Sequence, residues 1–168
     1  DVLYCDPKSS KKRESTIILL NIILNSLLRW FAPILTFTTE EIFRLISNEN
    51  KSIHLEKFMN FPKNFINEDL SKKWLEIIKI RNVCNISIEE KRATKEIGSS
   101  LEASLEIEMN EKNLELIGNI DLAEICITSL AEIKKTNSNE IIVKTTKAKG
   151  DKCNVCWKIN TEPCPRHG

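Results

Sequence analysis

The residues best equipped for chemistry stand at the C-terminal end, in the string D-K-C-N-V-C-W-K-I-N-T-E-P-C-P-R-H-G. There Cys153, Cys156, Cys164 and His167 form the pattern Cys-x2-Cys-x7-Cys-x2-His. Each half can wrap two ligands around one ion through a tight turn, and two halves complete the closed four-coordinate shell that structural zinc prefers. Three thiolates and a neutral imidazole leave no open position for water. The pattern therefore predicts one structural Zn2+ that acts as a folding clamp, not as a Lewis acid. The competing readings are a disulfide pair with a spare thiol, or four unrelated residues in a disordered tail. Pro163 and Pro165 rigidify the second half, and nothing in the sequence indicates secretion, which weighs against both.

A second possible chemistry is the recognition of a polyanion. The formal net charge of +1 conceals an uneven distribution, since residues 142–158 carry Lys144, Lys147, Lys149, Lys152 and Lys158 against the single acid Asp151. Local charge, not net charge, points to a polyanionic partner. Lys147, Lys149, Lys152 and Arg166 are the candidate phosphate contacts beside the metal ligands. Trp157 follows a ligand directly, and either covers the metal or offers its ring to a base, with covering the stronger reading. Arg29 is a further candidate for phosphate, whereas Trp30, followed by Phe31, Ala32 and Ile34, is expected to pack in a core. The basic residues between Lys72 and Lys95 are interleaved with Glu76, Glu89 and Glu90, as on a solvated, salt-bridged helix face. His54 and the pairs Glu40-Glu41 and Glu89-Glu90 offer no ligand or catalytic geometry, and no catalytic residue is assigned.

The elements that must position these groups follow from periodicity. Residues 1–8 read as a connector, Ser9 or Ser10 as a cap, and the following helix as running to about Phe31, where Pro33 breaks it. Ile17 to Leu35 is apolar enough to raise a membrane span, but Asn21, Asn25 and Arg29 form one polar stripe, which predicts a buried bundle helix and no membrane partner. Thr38-Thr39-Glu40-Glu41 reads as a capping box opening a shorter helix to about Ile46. An extended segment from Ser52 to Phe65 precedes a long helix over 69–95, with Leu70, Trp74, Ile77, Ile78, Val83 and Ile86 expected in the core. At Gly98 the period changes: Leu101, Ala103, Leu105 and Ile107 alternate with polar residues as in a strand. A helix over 111–117 and strands over 123–130 and 140–145 should follow.

Composition agrees with a soluble globular chain, 41% hydrophobic and 29% charged. Cys5, Cys84 and Cys126 sit among apolar neighbours, as reduced buried thiols of a cytoplasmic protein do. The chain opens on Asp and not Met, as expected for part of something longer. The predicted class is mainly α: a helical bundle over 1–97, a small α+β unit over 98–148 and a zinc knuckle over 149–168.

The run L-L-R-W-F-A-P-I-L-T-F-T-T-E-E-I-F, Leu27 to Phe43, resembles the anticodon-binding helical bundle of class I aminoacyl-tRNA synthetases of the isoleucine, valine and leucine group. K-E-I-G-S-S-L-E-A, Lys95 to Ala103, resembles the segment entering the C-terminal junction of the isoleucyl-tRNA synthetase family, and the K-C-x-x-C-W tail resembles that of its bacterial members. The family tail commonly ends in Cys-x2-Cys, where this chain has Cys164-Pro165-Arg166-His167. The resemblance implies an anticodon-side binding part for tRNA(Ile), monomeric and joined in cis to the rest of a synthetase that attaches isoleucine with ATP and Mg2+. The family's His-Ile-Gly-His-type and Lys-Met-Ser-Lys-Ser-type signatures do not occur here, so this part should be inactive alone. The rival reading is a non-enzymatic zinc-knuckle nucleic-acid-binding module on a helical scaffold.

Overall fold

The computed structural model describes residues 2–47 and 51–167. They form two compact units, Asp1–Ile66 and Asn67–Gly168.

In the first unit, a four-residue helix α1 (Val2–Cys5) stands where a plain connector was expected, and Cys5 is only half-buried. Helix α2 (Lys11–Phe31) starts where Ser10 Oγ accepts the Arg13 amide at 3.3 Å, satisfying one of the first-turn donors. It ends before Pro33, and the amides of Ile34 and Leu35 both turn back to the Phe31 carbonyl. That turn re-enters helix early: the Thr39 amide already donates to the Leu35 carbonyl, so α3 spans Thr36–Ile46. The expected capping box does not form, because Thr38 and Thr39 lie inside the helix and the Thr39 hydroxyl donates back to Leu35 O at 2.9 Å.

The polar stripe of α2 is a ladder that fastens the following segment. Asn25 Nδ2 donates to Asn21 O, and Arg29 donates to Asn25 Oδ1, to Lys57 O and to Glu56 Oε2, each at 3.0 Å. A small core of Leu28, Ala32, Phe43 and Ile53 lies beside it. The expectation of a buried bundle helix is not met. Only Ser26 and Leu28 of α2 are buried, while Ile18, Leu19, Leu20, Ile23 and Leu27 stay exposed because no described element packs over them. By length and composition alone α2 is long and apolar enough to cross a membrane. Trp30 is likewise exposed, not packed in the core.

The second unit begins with α4 (Glu68–Ala93), capped by Asn67 Oδ1 on the Leu70 amide at 2.9 Å, with Glu68 and Asp69 at its positive end and Lys91 and Arg92 at its negative end. Its buried stripe is Ile77, Ile80, Cys84 and Ile88, spaced by three, four and four as one helix face requires. Of the six expected core positions only Ile77 is buried; Leu70, Trp74, Ile78 and Ile86 are exposed. Apolar residues occupy every face of this helix, so periodicity could not select one. The sheet selects it. The two compact units meet between Ile66 and Asn67, so α4 belongs with the sheet.

That sheet has the order β2–β1–β3, where β1 is Ala103–Met109, β2 Leu130–Lys135 and β3 Ile142–Lys147. The alternation read from sequence holds: Ala103, Leu105, Ile107 and Met109 are buried, and Ser104, Glu106 and Glu108 face outward. β1 and β2 are parallel, so the chain must cross over between them, and it does so through α5 (Glu111–Ile117) and α6 (Leu122–Ile125). The strand expected over 123–130 is therefore partly helix, since Asp121 Oδ1 caps the Ala123 amide at 2.9 Å and Leu122, Ala123 and Cys126 turn inward together. Cys84 and Cys126 are buried in this core, and the Cys126 sulfur together with burial pushes the Cys84 thiol up, which keeps it protonated.

One carboxylate organises the first unit. Glu40 accepts from Arg44 Nε at 2.7 Å, Ser52 Oγ at 2.8 Å and the Ile53 amide at 2.9 Å. The Arg44 guanidinium, then Ser52 and the Ile53 amide, hold its carboxyl down at about 2. A depressed folded-state value contributes stability above the unfolded value of 4.5 and loses it as pH falls toward 2. Glu40→Gln should lower the melting temperature at neutral pH, and its gap from wild type should close between about pH 4.5 and 2, as followed by circular dichroism. A gap independent of pH would assign the loss to shape and not to charge.

Candidate metal centre and nucleic-acid interface

The tail is built on a minimal hairpin, β4 (Asp151–Lys152) paired antiparallel with β5 (Ile159–Asn160). Between its arms the Cys153 amide donates to Lys158 O at 2.9 Å and the Trp157 amide to Cys153 O at 3.0 Å, which folds Cys153 and Cys156 onto one side of a tight turn. Trp157 pays for that turn with a left-handed φ of 63°. The second half closes likewise, with the His167 amide on Cys164 O at 3.0 Å.

The four expected ligands are brought together. Their donor atoms all lie within 4.8 Å of one another. Cys156 Sγ and Cys164 Sγ are 3.7 Å apart, and His167 Nδ1 is 3.5 Å from Cys153 Sγ and 3.4 Å from Cys164 Sγ. A tetrahedral ion with Zn–S of about 2.3 Å and Zn–N of about 2.0–2.1 Å would set sulfurs about 3.8 Å apart and sulfur and nitrogen about 3.6 Å apart. These three separations match that shell, and the remaining pairs lie within 4.8 Å. Its sulfur separation is far beyond the about 2.05 Å of a disulfide, and all three cysteines are free. The donor set also favours a cation electrostatically. The amides of Cys156 and Val155 hold the Cys153 thiol at about 6, near the thiolate form a metal requires. Burial pushes the Cys156 thiol up; at Cys164 burial acts the same way but the Arg166 amide and His167 outweigh it.

The candidate nucleic-acid contacts fall in both units. Arg29 lies in the first unit, its side chain 14% exposed and its guanidinium engaged by Glu56, Asn25 and Lys57 O. Lys152 stands over the Trp157 ring, Nζ 5.5 Å from its centroid, a cation–π pair that sequence separation alone would not suggest. The Trp157 ring is 60% exposed and turned largely to solvent, against the expectation that it covers the ligands. Lys147 and Lys149 line a groove between the sheet and the tail, and Arg166 is half-buried between two ligands. Lys144 faces Glu106 across the strands and helps depress that carboxyl after Lys134, so part of the lysine cluster is neutralised by acids distant in sequence.

Two residues that sequence reasoning passed over position the tail. Ser129, buried, accepts the Ile159 amide at 2.6 Å and donates to Leu101 O, tying β5 to the entry of β1. Gly150 has φ 117°, and a Cβ there would lie 2.0 Å from Asn160 O, so only glycine lets the hairpin close. A glycine followed by paired short strands carries a weak turn signal; a serine–amide bond across 30 residues carries none. Gly150→Ala should abolish stoichiometric metal retention while the far-ultraviolet spectrum of the helices and the three-stranded sheet is kept. A variant that retains one metal equivalent would show that the hairpin is dispensable for the ligand shell.

Comparison with known proteins agrees with this architecture. Residues 1–107 match the family described as the anticodon-binding domain of tRNA ligase. The isoleucine–tRNA ligase of Pelagibacter ubique is 62% identical over 167 residues, which cover 99% of this chain and 18% of that protein. Those of Bartonella henselae and Bradyrhizobium diazoefficiens are 38% and 36% identical, over 96% and 95% of this chain and 18% and 17% of theirs. The chain thus spans under a fifth of the length of these relatives, and the similarity runs through its helices, sheet and tail alike. With the family match extending over residues 1–107 of 168, the chain belongs to the anticodon-binding domain family of tRNA ligases.

Proposed function

We propose that this chain is the tRNA-binding part of an isoleucine–tRNA ligase, that its cognate is tRNA(Ile), and that its tail carries one structural Zn2+. The observation that carries the reading is the Cys153, Cys156, Cys164 and His167 cluster, of zinc-like dimensions, beside an exposed Trp157 and the lysines of the hairpin, on a chain of this family. Bound zinc would supply a cross-link of fixed geometry, and the protein's own groups would do the recognition. Lys147, Lys149 and Lys152 reach phosphates, Trp157 with Lys152 above it presents a ring to an unpaired base, and Arg166 adds charge beside the knuckle. Arg29, enclosed by its acceptors, fixes the 56–57 segment in place and contacts RNA only where that segment does.

In functional terms the chain divides into a bundle over 1–97, a junction over 98–148 and a knuckle over 149–168. Binding energy from the anticodon side orients the acceptor end for isoleucine transfer elsewhere in the ligase, in the cytoplasm, with ATP and Mg2+ handled there and the chain acting as a monomer in cis. The two ATP-site signatures are not in this sequence, which supports that division of labour.

Two experiments test the proposal. Cys153→Ser should remove the zinc measured by elemental analysis and disorder the segment beyond Gly150, because so short a hairpin lacks a core and structural zinc contributes on the order of 10–16 kcal/mol to such folds. Retention of one zinc equivalent by that variant would refute the ligand set. Replacing Lys147, Lys149 and Lys152 together by Ala should weaken binding to every tRNA and flatten log affinity against log salt by about two units, each phosphate contact contributing roughly 0.7–0.9. Preference for tRNA(Ile) should hardly change, since phosphate contacts position RNA without reading bases. An unchanged slope would assign these lysines to solvation.

A further inference from the structure

The outward face of the three-stranded sheet begins with the row Leu130, Ser104 and Thr146, adjacent residues in register across β2, β1 and β3. The loop that carries Ile159 to Pro165 stands against this row, held there by the Ser129 bond, and leaves a groove of about 560 Å3. That volume lies within the about 300–1,000 Å3 of small-ligand sites. Leu130, Ile159 and Pro163 give the groove apolar surface suited to the face of a planar ring. Lys147 and Lys149 stand at it, and so do Glu132 and Glu162. None of these four charges is taken up in an ion pair among the described residues.

The mixture of charges is what discriminates among occupants. A groove shaped only for phosphate gains nothing from two carboxylates, which would repel it. A carboxylate is instead the acceptor for exocyclic amino groups, as Glu and Asp are for the cytosine amine. Apolar walls, acceptors for an amine and lysines for the adjoining phosphates together describe one nucleotide of an unpaired strand. We propose that this groove is a subsite for a single unpaired, amine-bearing nucleobase of the bound RNA, adenine, cytosine or guanine in preference to uracil. The proposal rests on the RNA-binding reading above and adds a base-reading element to it, separate from the Trp157 ring.

The test uses the zinc-loaded chain and single-stranded tetranucleotides of cytidine and of uridine, with tRNA as the control ligand. Wild type should bind the cytidine probe about five-fold or more tightly than the uridine probe. The double variant Glu132→Ala, Glu162→Ala alters two exposed side chains, and should bring that ratio close to one while zinc content is kept. Methyl resonances of Leu130 and Ile159 should shift on adding the cytidine probe, and those of the exposed Ile86 on α4 should not. A wild type that binds tRNA but shows no preference, a preference that survives in the double variant, or shifts confined to other residues would each overturn the groove reading alone. A wild type that fails to bind tRNA would overturn it together with the reading on which it rests.

Discussion

The structure of the second unit depends on one packing event, the burial of Ile80, Cys84 and Ile88 of α4 in one core with the inward residues of β1. Each fully buried aliphatic side chain of this kind contributes about 1.5–3 kcal/mol relative to exposure. Directional bonds then remove the freedom to slide. Ser87 Oγ lies 2.7 Å from Thr145 Oγ1 on β3, and Arg81 Nε donates to Ile125 O at the end of α6, so the helix is fixed to both sides of the crossover. α4 thus covers β1 and β3, while β2, which lies next to α6, keeps five of its six residues exposed.

The tail inherits its position from that sheet. Residues 149–167 bury only Cys156 and Cys164 among the described residues, and both are candidate ligands. Ordering each backbone residue costs about 1–2 kcal/mol, so a segment with so little apolar burial needs other restraints. A metal held by the candidate ligands would supply one from within, and the Ser129 bond to the Ile159 amide supplies one from the sheet. The two are complementary. The shell would fix the shape of the knuckle, and Ser129 fixes where the knuckle stands relative to Lys147 and Leu130.

What was legible in the sequence follows the range of the interactions. The cap at Ser10, the helix over 111–117 and the alternation of β1 rest on neighbours a few residues apart and stand as read, and the three cysteines and His167 do gather in space. The reading failed where a distant partner decided. Apolar residues on every side of α4 left its buried face to be chosen by the sheet, and the cap at Asp121 turned an alternating run into helix. In α2 the stripe of Asn21, Asn25 and Arg29 was visible, but the exposure of Ile18 to Ile23 was not, because a hydrophobic period tells which residues share a face and not whether anything covers them.

The same distinction governs the electrostatics of the interface. Counted along the chain, residues 142–158 are five lysines against one acid. Counted across the sheet, Lys144 faces Glu106, which is itself paired with Lys134, while Glu132 and Glu162 stand in the groove beside Lys147 and Lys149. Screening over roughly 8–10 Å at physiological salt means that a phosphate senses the charges gathered within that distance in space, not those adjacent in sequence. The surface therefore cannot act as a uniform cationic track. On the proposed reading, phosphates would be directed to the hairpin, where Lys152 lies over Trp157 and the only acid of the segment is Asp151, and the acids of the sheet face would be left for groups that donate hydrogen bonds. On that reading a surface that separates the two in this way would hold an RNA strand in one orientation, because backbone and base edges could not exchange places on it.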